Sequence, residues 1–75
     1  MNNLYILTAV LCDYTDGMAV IAAPSMERCR DLFKSQFGIG KRMAEFDSAV
    51  ERKMFHVIEG VNHDEGIIEY VYGGG

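Results

Sequence analysis

Seventy-five residues, 49% hydrophobic and 24% charged, make one domain that is too apolar for disorder and short enough to bury only about 60% of its unfolded surface. The net charge of −4 argues against a general nucleic-acid binder, which needs a basic surface to neutralise phosphates. Membrane spans, signal peptides and disulfide scaffolds are not expected either. The longest near-apolar run, Leu4–Leu11, is far short of the ~20 residues of a spanning helix, Met-Asn-Asn lacks a basic lead, and two cysteines form no framework.

Leu4–Leu11 reads as a strand, Cys12–Gly17 as a turn and Met18–Ala23 as a second strand. Pro24 lies outside the helix that follows, and Ser25 is its expected N-cap, with a hydroxyl able to accept from a free backbone N–H of the first turn. Met26, Cys29, Phe33 and Phe37 recur at helical spacing with Leu32 on the edge of the stripe, while Glu27, Arg28, Arg30, Asp31 and Lys34 face the other way. That stripe is read as core, and Gly38 is expected to end the helix as a C′ glycine. Residues 39–50 fit either a short helical turn around Lys41–Phe46 or an irregular loop, anchored by Met43, Phe46 and Val50. A third strand is expected from Arg52 to Val61, a turn at 62–66, a fourth strand over Ile67–Tyr72 and a flexible glycine tail over 72–75. The order ββαββ predicts an α+β fold: a four-stranded, mainly antiparallel sheet with one main helix packed on one face.

If the last two strands form a hairpin with Val61 opposite Ile67, Glu59 lies opposite Glu69 and Val57 opposite Val71. His56, Ile58, Gly60, Ile68, Tyr70 and Tyr72 then make the better core face; a register one residue different separates the glutamates. Opposed like charges destabilise a sheet, and a local cost without structural benefit sometimes marks a functional surface. The charge distribution points the same way. Residues 1–24 carry Asp13 and Asp16, and residues 54–75 carry Glu59, Asp64, Glu65 and Glu69, with no Lys or Arg in either segment. All seven basic residues fall between Arg28 and Lys53. The plain alternative is that acids simply suit turns and keep the domain in solution.

Chemistry-bearing motifs are weak. Phe37-Gly38-Ile39-Gly40-Lys41-Arg42 lacks the first glycine of a phosphate loop, puts Arg42 where the metal-binding hydroxyl belongs, and follows a helix instead of a strand. Asp13, Asp16, His63, Asp64 and Glu65 could hold a divalent cation only if the two turns converge; otherwise they are solvated turn acids. His56 is read as a packed or edge histidine. Cys29 lies between two arginines in sequence but points to the apolar side, and no serine or cysteine has a histidine partner at a triad spacing. No catalytic residue, metal or cofactor is expected; the chain reads as a cytoplasmic, monomeric, non-enzymatic interaction protein with reduced thiols.

Two family resemblances bear on function. Gly73-Gly74-Gly75 after a ββαββ domain resembles the tail of sulfur-carrier and ubiquitin-like β-grasp proteins, which implies a terminal carboxylate that is adenylated in an activating enzyme. Tyr5–Thr8, Ala19–Pro24, Ser25–Phe33, Val57–Gly60, Gly66–Ile68 and the glycine terminus are similar in layout to small anti-CRISPR proteins of phages and mobile elements, most of all the acidic inhibitors of type I-C Cascade. This second resemblance implies an inhibitor in the host cytoplasm that binds the CRISPR effector complex without touching nucleic acid or membrane. Asp13, Asp16, Glu59, Asp64, Glu65 and Glu69 would stand in for phosphates on a basic DNA-binding surface of a Cascade subunit, such as the one that reads the protospacer-adjacent motif.

Overall fold

The computed structural model describes residues 1–74. Its elements are β1 (Asn2–Val10), β2 (Gly17–Ala23), α1 (Met26–Phe37), α2 (Arg42–Glu51), β3 (Phe55–Val61) and β4 (Gly66–Val71). The fold is α+β, with one open four-stranded sheet in the order β3-β1-β2-β4, every neighbouring pair antiparallel. The expected single main helix is accompanied by a second of nearly equal length.

One hydrophobic cluster lies between the helices and one face of the sheet. From β1 and β2 it takes Tyr5, Leu7, Ala19, Ile21 and Ala23, which are opposed in register as Tyr5–Ile21 and Leu7–Ala19. From α1 it takes Cys29, Phe33 and Phe37, and from α2 Phe46 and Ala49, with Met26, Leu32, Met43 and Val50 partly buried around them. Phe33 joins the two helices, with its ring centroid 4.9 Å from those of both Phe37 and Phe46. The apolar stripe of α1 therefore packs as its spacing predicts, and Ser25 caps that helix by accepting from the Arg28 N–H.

The ends of the helices differ from expectation. Gly38 is not a left-handed C′ residue: its φ is −74°, and its N–H donates to the Lys34 carbonyl. A Cβ at Gly38 would collide with that carbonyl, so close approach is what calls for glycine there. Lys41, the N-cap of α2, makes no side-chain capping bond. It ends in a Schellman motif, with Met54 N–H donating to the Ala49 carbonyl at 2.7 Å and Lys53 N–H to the Val50 carbonyl at 3.1 Å. Lys53, a non-glycine residue, takes the left-handed position at φ 58°.

The final hairpin is overturned. β3 pairs with β1 and β4 with β2, so β3 and β4 are the two edges of the sheet and Glu59 never faces Glu69. Val61 ends β3 beside Asn2, and Gly66 begins β4 beside Ala22. Three strand spacings separate those edges, about 14 Å, and five residue steps reach about 17 Å when extended. Residues 62–65 therefore stretch across the end of the sheet. The Asn2 side-chain amide donates to the His63 carbonyl at 2.8 Å, and Arg28 pairs with Glu65 at 2.8 Å, tying the crossing down.

The expected core face of the last two strands is also redistributed. His56 and Ile58 are level with Ile6 and Leu4, on the side away from the helices, whereas Tyr70 is level with Ala19 on the helix side.

The glycine tail is not loose at its start. Gly73 N–H donates to the Leu11 carbonyl at 3.0 Å, and the Gly73 carbonyl accepts from Tyr14 and Thr15 at 2.8 and 2.7 Å. Gly73 is buried, and a Cβ there would strike the Thr15 carbonyl. Gly74 is exposed, and the last residue of the expected tail, Gly75, lies outside the described residues.

Candidate partner-binding surface

The six acids singled out by sequence divide between two ends and two edges. Asp13 and Asp16 lie in the β1–β2 turn. Asp64 and Glu65 lie in the crossing at the opposite end of the sheet, about 23 Å away along a seven-residue strand. Glu59 is on the β3 edge and Glu69 on the β4 edge. The two turns do not converge, so they cannot share a cation. Among the described residues no group of three or more acidic, histidine or cysteine side chains could hold a metal ion, and no pocket is present.

Bases from the middle of the chain reach two of these acids. Arg42 donates to Asp13 at 2.7 Å and to Glu45 at 3.3 Å, and its guanidinium lies 5.2 Å from the Tyr72 ring centroid. Glu45 also accepts from the Cys12 N–H at 3.3 Å, so the start of α2, the β1–β2 turn and the end of β4 form one knot. Arg28 holds Glu65, and this hydrogen bond keeps the Glu65 carboxyl below its ordinary range. Asp16, Glu59, Asp64 and Glu69 are exposed and have no cationic partner among the described residues.

Aromatic side chains flank the knot. Phe37, Tyr70 and Tyr72 meet edge to face, with centroids 5.1 to 6.2 Å apart. Tyr70 and Tyr72 are nonetheless 40% and 46% exposed, and Tyr14 in the adjoining turn is 88% exposed. Tyrosine and arginine at an exposed rim are the residue types that anchor protein interfaces. No local spacing signals this grouping, because Arg42 and Tyr72 are brought together only by the placement of β4.

Both cysteine thiols are held above their ordinary range. Cys29 is fully buried, and desolvation pushes its thiol up to about 12. The Cys12 thiol is also raised, chiefly by burial, with Asp16 beside it adding to the effect.

No helix among the described residues is long and apolar enough to cross a membrane. Comparison with protein-family models, with curated proteins and with solved structures yields no significant match.

Proposed function

We propose that this protein is a binding inhibitor of phage or mobile-element origin. Its target is a host type I CRISPR surveillance complex, and it covers a basic DNA-binding surface of a Cascade subunit so that target DNA, and above all the protospacer-adjacent motif, is not read. The observation that supports the reading best is the set of exposed acids left unpaired after folding. Asp16, Glu59 and Asp64 have no cation of their own, and Asp13 and Glu65 are each held in place through a single carboxylate oxygen by Arg42 and Arg28. Fixed and free carboxylates at both ends of the sheet, with Tyr14, Tyr70 and Tyr72 toward the end that carries Asp13 and Asp16, suit a lysine- and arginine-rich partner surface. A carrier role for the glycine terminus is the weaker reading, because Gly73, which a threading tail would have to free, is clasped by the β1–β2 turn.

The test is a competition measurement. Purified type I-C Cascade, titrated with the protein, should lose binding to a duplex bearing the motif, with an affinity that falls as salt rises. Asp16→Lys, Glu59→Lys and Asp64→Lys combined should weaken binding by at least about a hundredfold, the equivalent of roughly 3 kcal/mol, while circular dichroism stays unchanged. Failure to bind Cascade, or equal binding by the folded triple variant, overturns the reading.

A further inference from the structure

We infer that the face of the sheet turned away from the helices is covered by the same face of a second copy, in a twofold dimer whose axis runs along the central strands.

The outward positions of β1 and β2 are Asn2, Leu4, Ile6, Thr8, Met18, Val20 and Ala22, and all but Asn2 and Thr8 are apolar. None of them belongs to the core cluster under the helices. An antiparallel sheet with one face in water normally alternates apolar with polar, whereas strands covered on both sides read as near-continuous apolar runs. β1 and β2 have the second pattern, yet the helices cover only one side; on the other, Ala22 is buried by its neighbours in the sheet while Leu4, Ile6, Met18 and Val20 are left only partly buried. The edge strands extend the apolar surface with Ile58 and Val71, 50% and 53% exposed.

The polar residues on this face select the occupant. Residues level with one another across the sheet form three rows. They are Thr8–Met18–Val71, then His56–Ile6–Val20–Glu69, then Ile58–Leu4–Ala22–Gly66. The middle row has an apolar centre, an imidazole at one end and a carboxylate at the other. A twofold axis along the strands lays β3 over the partner's β4 and β1 over the partner's β2. His56 then faces the partner's Glu69, Ile6 faces the partner's Val20, and symmetry repeats both contacts. Face-to-face sheets pack about 10 Å apart with a rotation of about 30°, and a middle row is displaced least by that rotation. An axis across the strands would instead set Glu69 against the partner's Glu69, which repels. Edge-to-edge pairing is disfavoured, because both edges are interrupted: β3 shifts register near Gly60, where φ is +67°, and β4 shifts between Ile67 and Glu69.

The dimer stands apart from the proposed target. Asp16 and Asp64 lie at the ends of the sheet, and Glu59 alternates with Ile58, so only Glu69 is taken from the acidic set.

Sedimentation equilibrium should give twice the 8.4 kDa of the chain. Val20→Glu should give the monomer with its circular dichroism unchanged. His56→Glu, which sets carboxylates against each other twice, should weaken the dimer by at least about tenfold, and adding Glu69→Lys to it should restore the dissociation constant to within about threefold. His56 and Glu69 sit on exposed edge strands, so this pair decides the matter even if Val20→Glu fails to fold. A wild-type mass of one chain at all concentrations overturns the inference and leaves the face to a different protein. A His56→Glu variant that dimerises like the parent, or a double variant that does not recover, overturns the twofold arrangement.

Discussion

β1 and β2 bury Tyr5, Leu7, Ala19, Ile21 and Ala23 beneath two helices, whereas no residue of β3 or β4 is buried and most are exposed. The central pair is held by apolar burial and by ladders on both sides. Each outer strand has one ladder and is fastened mainly at its ends. β3 is tied where the Met54 carbonyl accepts from both the Thr8 N–H and the Thr8 hydroxyl, each at 2.9 Å. β4 is tied where Gly73 enters the β1–β2 turn and where Arg28 meets Glu65. Folding free energy is therefore concentrated in the middle of the sheet, and the rim is free to carry charge and exposed aromatics.

The largest expected effect tests the buried side of this contrast. Phe33→Ala removes the ring that joins α1 to α2 and should cost about 3–5 kcal/mol, much of the total stability of a domain this size. Val57→Ala, on β3 and 42% exposed, should cost under about 1 kcal/mol. Urea denaturation of both variants measures the difference, and similar losses would show that the outer strands belong to the same cooperative core.

The fastening at the end of β4 comes next. Gly73→Ala drives a methyl group into the Thr15 carbonyl and should cost about 1–3 kcal/mol in thermal melts. Gly74→Ala meets nothing within 4 Å and should leave the melting temperature unchanged, as should deletion of Gly74 and Gly75. If Gly73→Ala melts like the parent, the clasp is not what holds the outer strand. If loss of the last two glycines abolishes binding, the carrier reading is promoted.

The smallest effect has the opposite sign. Lys53 is exposed and left-handed at the end of α2, a backbone state that costs a side-chain-bearing residue about 1–2 kcal/mol. Lys53→Gly should stabilise the protein by about 0.5–1 kcal/mol after the entropic cost of glycine. A destabilised Lys53→Gly variant would mean that the Lys53 side chain contributes packing or charge beyond the motif.

Local chemistry was legible where it was ordinary. The period of Cys29, Phe33 and Phe37, the Ser25 cap and the apolar runs of β1 and β2 each follow from interactions within one turn or one strand. α2 was only half legible. Met43, Phe46 and Val50 show its anchoring side, but Lys41 and Lys53 occupy the cap positions where Ser, Asp or Gly would announce a helix, so its length could not be read. The acids were visible as charges, but their partners were not. Arg28 and Glu65 are 37 residues apart and Arg42 and Asp13 are 29 apart, separations that no local pattern reports.

The sequence by itself determined the class of the fold, the central hairpin, the first helix and the uneven distribution of charge, because each depends on side-chain period and composition along a short stretch. Only the tertiary structure decided where β3 and β4 go. A four-residue connection can close a hairpin or stretch across the end of a sheet. With β1 and β2 already paired, their two free edges each offer a ladder to one further strand. Placing β3 and β4 on those separate edges leaves β1 and β2 in the middle. It parts Glu59 from Glu69, and it brings His56 and Glu69 to opposite ends of one row.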